Sequence, residues 1–325
     1  MKQVLIIGNI KEDTGFSCET YIKCLKGCFQ NFEYLQPSTK FHPKLYKNFI
    51  YPLKLILKRN YKVYHILDHS SSFLINFLPK NKTIITCHDL IPLKENCLSF
   101  RTKIFYKYYI SGLKKAKLII AVSEQTKIDL NKYLKISMEK IKIKNPLYIK
   151  KITTKKPKPK GNIKRLICMG SGNYKNHNII LKSLKELIDK NYKVKLVKVG
   201  RFNDKQKDYI SEFKLEEHIE IYNNITDEKL ENLYISSDLL LFPSTNEGFG
   251  IPPLEAINYG IPVISSKINI IEKNLENSSI LINPHDSKEL TRAIILSLQN
   301  PKIDRSILDK FNKKDFKKSY SEVYR

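Results

Sequence analysis

The sequence contains little negative charge. Its 325 residues include 32 Asp and Glu against 58 Lys and Arg, which gives a formal net charge of +26. Long apolar runs are also missing, since the longest are the length of a β-strand, and this excludes a membrane-spanning helix. The opening MKQVLIIGNI has too short an apolar core for a signal peptide, so we interpret it as a first strand.

Cysteine clusters with the spacing of metal ligands are absent as well. The six cysteines, at positions 18, 24, 28, 87, 97 and 168, form no paired CxxC motif. Cys24 and Cys28 share a predicted helix face, but two sulfurs without further ligands do not make a zinc site. We therefore expect reduced thiols and a cytoplasmic protein.

The composition and length of the chain are typical of a globular protein. Hydrophobic residues make up 42% of the chain, and 325 residues are long for one core but sufficient for two. The cations are unevenly placed: residues 1–160 hold 32 Lys and Arg against 10 Asp and Glu, whereas residues 161–325 hold 26 against 22. A half this basic predicts an anionic partner, which could be nucleic acid, phospholipid headgroups or an acidic polymer.

Strand-length apolar segments alternate with helix-length segments in both halves. The predicted strands include QVLIIG, YKVYHILD, TIITCHDL and KLIIAVS, and later KRLICMG, KVKLVKVG, HIEIYN and DLLLFP. This alternation predicts parallel sheets and a doubly wound α/β fold. The Lys- and Pro-rich segment over residues 151–162 predicts a linker between domains at 1–150 and 163–311. One large α/β domain is the alternative.

The stretch STNEGFGIPPLEAINYGIPVISS, from Ser244 to Ser266, predicts a ligand site. It follows the strand DLLLFP and so lies at the carboxyl edge of a parallel sheet, where such folds bind ligands. The double proline suits the first turn of a helix, which puts Glu255 near that helix's N-terminus. Two carboxylates, Glu247 and Glu255, suit the hydroxyls of a ligand such as a nucleotide sugar.

The glycine turn between the two acids provides further donors. Gly248 and Gly250 allow the backbone to approach a ligand closely, and the N–H groups of Gly250 and Ile251 can then donate to ligand oxygens. Taken singly, each acid has a simpler interpretation. Glu255 would be a charge at a helix terminus, and Glu247 a solvated loop residue.

The motifs taken together resemble a known family. EGFGIPPLEA followed by GIPVIS resembles the E-x7-E region of GT-B glycosyltransferases, specifically the group 1 enzymes of glycosyltransferase family 4. Other segments that match in order are TIITCHDLIPL, LIIAVSEQTKIDL, the KN of GSGNYKNHNIILKSL, and LENLYISSDLLLFPSTNEGFG. The resemblance covers nearly the whole chain. It implies a GT-B fold, with two Rossmann-like domains facing across a cleft and a terminal helix within 312–325 crossing back onto the first domain.

The resemblance also implies roles for individual residues. Glu255 would hold the ribose hydroxyls of the donor. Glu247 would hold the transferred sugar, helped by the amides of Phe249 and Gly250. Lys175 would bind the donor diphosphate, and a lysine before a helix N-terminus independently suits phosphate. In a chain with this many lysines, a plain surface residue is the alternative.

The resemblance also implies roles for residues outside this central group. Asn176 completes the KN pair beside Lys175. His88 matches the family histidine that faces the donor sugar, with an ordinary buried histidine as the alternative, and Asp89 would orient its ring or cap the next turn. The chain departs from its relatives in two places. It lacks a second phosphate-binding cation before Lys175, where Arg201 would instead contact the base or the phosphate of the donor. It also has a single glycine, Gly15, in the first loop.

The resemblance implies a retaining glycosyltransferase. It would transfer a hexose of mannose or glucose type from a UDP- or GDP-linked donor to a hydroxyl of a glycan or lipid-linked acceptor. No DxD motif occurs in the chain, so we expect no metal and no cofactor. The alternatives are a catalytically silent GT-B protein that binds sugar nucleotides, and a basic nucleic-acid-binding protein, for which recognition motifs are lacking.

Two basic, aromatic segments in the first half predict a membrane contact. These are FHPKLYKNFIYPLKLILKR, from Phe41 to Arg59, and RTKIFYKYYISGLKKAK, from Arg101 to Lys117. Cations mixed with aromatic side chains suit the surface of an anionic bilayer. We therefore expect peripheral association with the cytoplasmic membrane face, although each segment alone is also consistent with a helix packed on the sheet.

Overall fold

The computed structural model describes residues 2–8, 16–35, 50–58, 60–94, 100–152 and 162–325. The chain forms two compact units, Met1–Tyr148 together with Phe311–Arg325, and Ile149–Lys310. Each unit contains one six-stranded sheet. Every strand pairing in both sheets is parallel, which confirms the predicted doubly wound α/β class. Within the described ranges, no helix is both long and apolar enough to span a bilayer.

The first unit alternates strands with helices. Its strands are β1 (Lys2–Ile7), β2 (Phe32–Leu35), β3 (Tyr61–Ile66), β4 (Thr83–Cys87), β5 (Leu118–Ala121) and β6 (Ile141–Ile143). Its helices are α1 (Phe16–Cys28), α2 (Tyr51–Ile56), α3 (Ile91–Lys94), α4 (Phe100–Ile110) and α5 (Glu124–Leu134). The strand order in the sheet is β2–β1–β3–β4–β5–β6.

The inner strand β4 of this sheet is buried along its whole length. All five residues of β4 are buried, as expected for an inner strand of a parallel sheet that is covered on both faces. A 3-10 segment at His69–Phe77 supplies part of the covering layer, and its buried Phe73, Leu74 and Ile75 pack in the core. The carboxyl ends of β3 and β4 are therefore held rigidly from one side.

The last helix of the chain belongs to the first unit. After Phe311 the chain forms the last helix of the first unit, α6 (Lys313–Ser321). Its Phe316 and Tyr320 side chains are buried. The Tyr320 ring lies 5.8 Å from that of Tyr21 on α1, and the Tyr320 hydroxyl donates to the Asn145 carbonyl at 3.2 Å. The Tyr324 hydroxyl lies 2.7 Å from Nδ1 of His65 on β3. The C-terminal helix is thus part of the first unit's core, as the sequence predicts.

The second unit repeats the same pattern. Its strands are β7 (Lys164–Met169), β8 (Val194–Val199), β9 (Ile219–Tyr222), β10 (Leu239–Phe242), β11 (Val263–Ser266) and β12 (Ile280–Ile282). Its helices are α7 (His177–Asp189), α8 (Asp204–Glu212), α9 (Asp227–Ile235), α10 (Ile251–Asn258), α11 (Asn269–Leu275) and α12 (Ser287–Gln299). The sheet order is β12–β11–β10–β7–β8–β9.

The order of this sheet determines which loops meet at its carboxyl edge. β7 and β10 are neighbours at the centre, so the loop from β7 to α7 lies beside the loop from β10 to α10. A backbone hydrogen bond of 2.8 Å, from the Thr245 amide to the Tyr174 carbonyl, joins the two loops directly. These two loops carry most of the residues that the sequence singles out.

Part of the predicted linker lies outside the described residues, namely 153–161. Its beginning is fixed on the second unit, because the Ile152 amide donates to Asn258 Oδ1 at 3.0 Å and Asn258 Nδ2 donates to the Lys150 carbonyl at 3.1 Å. The Arg305 guanidinium also donates to the Ile152 carbonyl, at 2.5 Å. The chain therefore enters the second unit along the end of α10.

Candidate functional site

The double proline starts α10 as predicted. Gly250 precedes the helix with φ of +85°, a conformation that favours glycine over residues with a Cβ. A Cβ at Gly250 would also lie 2.6 Å from Ile271 Cδ1. Pro252 and Pro253 occupy the first turn, where no N–H is required. The segment between the two glutamates is thus a tight turn leading directly into a helix.

Lys175 and Glu247 form an ion pair at the carboxyl edge of the sheet. Lys175 Nζ lies 2.6 Å from Glu247 Oε1, and the two side chains are only 13% and 9% exposed. The ammonium group also lies 4.8 Å from the centre of the Phe242 ring and 5.1 Å from that of Tyr174. An opposite charge and two aromatic faces stabilise this partly buried cation. The structure thus brings together two residues that lie 72 positions apart.

Asn176 holds the neighbouring loops together. Its backbone is left-handed, with φ of +58°. Its side-chain amide donates to the carbonyls of Pro243 at 3.1 Å and Pro284 at 2.5 Å. These bonds link the start of α7 to the ends of β10 and β12. The Asn176 amide thus holds the loop that carries Lys175, and a role for Asn176 in binding the donor stays a prediction.

Glu255 lies near the N-terminus of α10, as the fifth helical residue. Its Oε2 accepts a hydrogen bond of 3.0 Å from the Tyr234 hydroxyl on α9. The Tyr234 ring stacks on that of Tyr259, with ring centres 5.3 Å apart. Burial, and then the charge of Glu255, raise the pKa of Tyr234 well above its usual value. Tyr234 therefore acts as a permanent donor that orients the carboxylate.

The remaining predicted donor residues of the second unit take different positions. Gly248, Phe249 and Ile251 are buried in the turn between the glutamates, and the Phe249 carbonyl accepts from Asn274 Nδ2 at 2.6 Å. Arg201 is exposed and follows β8, and its backbone amide donates to Ser171 Oγ at 2.9 Å. It lines a surface cavity of about 490 Å³ together with Phe202, Ile210 and Ile221. A role for Arg201 in phosphate binding stays a prediction.

His88 lies at the carboxyl end of β4 in the first unit. Its Nε2 lies 2.9 Å from the Leu67 carbonyl and must therefore carry a proton, because a carbonyl can only accept. Burial lowers the pKa of His88, although the nearby Asp68 opposes this effect. The ring is thus neutral near pH 7. Asp89 Oδ1 accepts from the Ile91 amide at 3.0 Å, which makes Asp89 a cap of the next turn. Gly15 lies outside the described residues.

Two polar groups near these sites are not identified by the sequence analysis. One is Tyr234, whose position on the apolar face of a helix looks like ordinary core. The other is Lys198 in β8, whose side chain is fully buried. A lysine in the otherwise apolar end of the strand VKLVKV is a signal that could have drawn attention to it.

Comparisons with known proteins agree with this geometry. The family described as "Glycosyl transferases group 1" matches residues 150–315, and "Glycosyltransferase Family 4" matches residues 26–144. The O-antigen chain mannosyltransferase RfbU of Salmonella typhimurium is 29% identical over 223 residues, which cover 67% of this chain and 61% of RfbU. The serotype-specific mannosyltransferase WbdA of Escherichia coli is 26% identical over 278 residues, 74% of this chain and 32% of WbdA. The matches thus span less than two thirds of the length of these relatives.

Solved structures share the fold over almost the whole chain. Anabaena Alr3699/HepE in complex with UDP and glucose has a TM-score of 0.74 and 15% identity, covering 99% of each chain. Sucrose-phosphate synthase from Thermosynechococcus elongatus has a TM-score of 0.73 and 16% identity, covering 99% of this chain and 98% of that one. These neighbours confirm the predicted GT-B fold. Because the first family description covers more than half of the sequence, the chain belongs to the group 1 glycosyl transferases.

Proposed function

We propose that this protein is a retaining hexosyltransferase that uses a nucleoside-diphosphate sugar. The contact between Lys175 and Glu247 supports the proposal, because a cation that suits phosphate lies beside a carboxylate that suits hydroxyl groups at the sheet edge. Mannosyltransferases among the relatives support a donor sugar of mannose or glucose type. The complex of the neighbour HepE with UDP and glucose supports a nucleoside-diphosphate donor, and we propose that this donor is UDP- or GDP-linked.

The described residues fit the roles that the resemblance implies. Glu255, oriented by the Tyr234 hydroxyl, would accept hydrogen bonds from the ribose hydroxyls. Lys175 would move from Glu247 to the diphosphate, and Glu247 would then accept from the sugar hydroxyls. His88, neutral and with its proton on Nε2, would face the donor sugar through a ring held by the Leu67 carbonyl. The amides of Phe249 and Gly250 would add donors to the sugar oxygens.

The transfer itself needs no protein nucleophile in this proposal. The bond between the anomeric carbon and the phosphate oxygen breaks, and a bond from that carbon to the acceptor hydroxyl oxygen forms on the same face. The acceptor proton passes to the departing phosphate. Charge on the nucleoside diphosphate is stabilised by Lys175 and by the N-terminus of α7, so we propose that neither metal nor cofactor is required.

A basic surface of the first unit supports a lipid-linked or membrane-presented acceptor. The exposed fractions lie between 52% and 85% for Leu53 on α2, Leu57 directly after α2, and Ile104, Phe105 and Tyr108 on α4. Both helices pack against the 3-10 segment at His69–Phe77. Lysines and one arginine lie among these side chains, and residues 50–58 and 100–117 contain no acid. We therefore propose peripheral docking on anionic lipid, because exposed apolar groups and cations together suit its headgroup region. The earlier part of the Phe41–Arg59 segment lies outside the described residues.

The proposal is tested by thermal shift with UDP-, GDP- and ADP-sugars, followed by an assay for donor hydrolysis and transfer. A ligand that binds only the folded protein raises its melting temperature. Binding without turnover would favour the catalytically silent alternative. A shift with nucleic acid and none with any sugar nucleotide would favour the nucleic-acid-binding alternative.

Replacement of Lys175 tests the observation that carries the proposal. Lys175→Ala should weaken binding of the nucleoside diphosphate and slow transfer, because the same charge serves the ground state and the leaving group. Lys175→Arg should restore function incompletely, since a planar guanidinium does not replace a compact ammonium. Full activity of the alanine variant would show that another cation binds the diphosphate.

A further inference from the structure

Lys198 is a fully buried cation below the loop that carries Lys175. It lies in β8 with 0% of its surface exposed. Its Nζ donates to the Gly170 carbonyl, and more weakly to the Val199 carbonyl at 3.3 Å. The Phe202 ring lies 5.3 Å from the same nitrogen. The ammonium group is thus enclosed by backbone carbonyls and an aromatic face at the carboxyl end of the sheet.

No carboxylate in the described ranges forms an ion pair with this ammonium group. The charged or titratable groups that act on Lys198 are the Cys168 thiol and the Lys175 ammonium, and burial is the main cause that lowers the pKa of Lys198. The adjacent His177 is kept neutral, since burial and then the charge of Lys198 lower its pKa to about 3. A buried charge that lacks a counter-ion is strongly unfavourable unless hydrogen bonds or an external anion compensate it.

Gly170 connects Lys198 to Lys175. Its carbonyl accepts from Lys198, and its amide donates to the Val199 carbonyl at 2.9 Å. Its φ is +92°, and a Cβ here would lie 2.8 Å from Lys175 Cε. A Cβ on Gly200 would in turn lie 2.8 Å from the Gly170 carbonyl oxygen. Gly170 therefore contacts both lysines, Lys198 through its carbonyl and Lys175 beside its α-carbon, and a side chain at Gly170 or Gly200 would not fit.

The charges around this peptide do not cancel in the ligand-free protein. Glu247 neutralises Lys175 through their contact of 2.6 Å, whereas the partners of Lys198 among the described residues are two carbonyls and the Phe202 ring. A net positive charge thus remains below the loop.

We propose that Lys198 is the second cation of the diphosphate site. It acts from beneath the loop as a positioning residue, holding the Gly170 carbonyl and supplying positive potential, without touching the ligand. The counter-ion that Lys198 lacks is then the diphosphate of the donor itself. This inference rests on the proposed function, since it assumes that the loop from β7 to α7 binds phosphate.

Lys198→Met tests the inference, because methionine is similar in length and uncharged. Lys195→Met is the matched control on the same strand, where the lysine lies 3.6 Å from Glu220. The probes are UDP, GDP and inorganic pyrophosphate, with uridine and guanosine as uncharged counterparts, and calorimetry gives each Kd. We expect the Kd of the charged probes to rise roughly tenfold in Lys198→Met. The uncharged probes and the control variant should show no change.

The melting temperature of the ligand-free protein separates this role from a structural one. Removal of an uncompensated buried charge should leave it unchanged or raise it. A lower melting temperature together with a diphosphate Kd within about twofold of the wild type would overturn the inference. Lys198→Gln, which retains a neutral donor, covers the case in which the methionine variant does not fold. Wild-type diphosphate affinity in Lys198→Gln would also overturn it, because the charge would then be irrelevant.

The outcomes distinguish this inference from the proposed function. If the wild-type protein binds a nucleoside diphosphate and Lys198→Met binds it equally well, only the role of Lys198 fails. If the wild-type protein binds none of UDP, GDP and pyrophosphate, both the proposed function and the role of Lys198 fail, because the expected anion has no site.

Discussion

Glu247 has two partners in succession if the proposed donor binds. Its carboxylate holds Lys175 at 2.6 Å, so the diphosphate competes with Glu247 for the charge of the lysine. Glu247 therefore opposes nucleoside diphosphate binding while it supports binding of the sugar. The two effects can be separated, because the sugar is absent from the product nucleotide.

Glu247→Gln should consequently bind UDP or GDP more tightly and transfer sugar more slowly. Loss of a competing charge at this distance should lower the Kd roughly tenfold, while the neutral amide should be a poorer acceptor for sugar hydroxyls. Calorimetry and a transfer assay measure the two effects, with Glu231→Gln on α9 as the control. An unchanged nucleotide Kd would show that the ion pair does not compete with the ligand.

Glu255→Ala should remove most of the affinity for the nucleoside diphosphate. The carboxylate is expected to accept from two ribose hydroxyls, and the loss of such charge-assisted bonds costs about 2–4 kcal/mol. Titration of the nucleotide alone is sufficient, with Glu231→Ala as a control on the helix that carries Tyr234. If Glu255→Ala binds the nucleotide as tightly as the wild type, Glu255 does not belong to the site.

At the scale of elements, the sequence predicts long, strongly patterned segments and misses short ones. The double proline and the flanking glycines are sufficient to predict α10, because each residue type suits its position in the turn. β2 and β12 are missed, since they have only four and three residues and are incompletely buried. The helix begins at Ile251, so the prolines lie in its first turn and Glu255 lies near its N-terminus, as the sequence predicts.

The site is predictable in parts but not in its contacts. Lys175 and Glu247 are each singled out by local motifs, yet their pairing depends on β7 and β10 lying side by side, an order that no local motif encodes. The Tyr234–Glu255 bond likewise joins two helices. The contacts of the Asn176 amide could not be predicted either, because the carbonyls of Pro243 and Pro284 that it binds are far from it in the sequence.

The exposed face of α4 should determine binding to vesicles. Ile104→Ser combined with Phe105→Ser should reduce co-sedimentation with anionic vesicles, since both side chains are more than half exposed. Each nearby lysine should add about 1 kcal/mol, so binding should fade as salt is added. Ile128→Ser combined with Tyr133→Ser on α5 is the matched control. Failure of the wild-type protein to bind anionic vesicles at low salt, with transfer to a dissolved acceptor intact, would contradict membrane docking.

At the scale of the whole molecule, buried histidines make stability depend on pH. Burial lowers the pKa of His65 to about 3 and, with the charge of Lys198, that of His177 to about 3. The unfolded chain binds these protons near pH 6.5, whereas the folded protein does not. The free energy of unfolding should therefore fall as the pH drops from 6.5 towards 3, by up to about 1.4 kcal/mol per pH unit for each ring.

His65→Gln should make the fall of the unfolding free energy with acid less steep. Urea titrations between pH 7 and pH 4 measure the slope, and the exposed His285, changed in the same way, is the matched control. Hydrogen bonds to Arg165 are the main cause that lowers the pKa of Glu220 to about 2. Protonation of Glu220 therefore lowers the unfolding free energy only below about pH 4.5. This contribution is the same in all the variants compared. An identical slope in His65→Gln and the wild type would contradict the assignment.

The position of the last helix in the first unit has a consequence for biosynthesis. Tyr320 and Tyr324 complete the packing around Tyr21 and His65, yet the ribosome makes them only after the whole of Ile149–Lys310. The second unit can therefore close its core while the chain is still being translated. The first unit cannot complete its core until translation ends, because contacts such as that between Tyr21 and Tyr320 span some 300 residues of sequence. Until then the surface of α1 is uncovered. Such distant contacts form slowly. Newly made chains should thus depend on chaperones mainly through the half that is synthesised first.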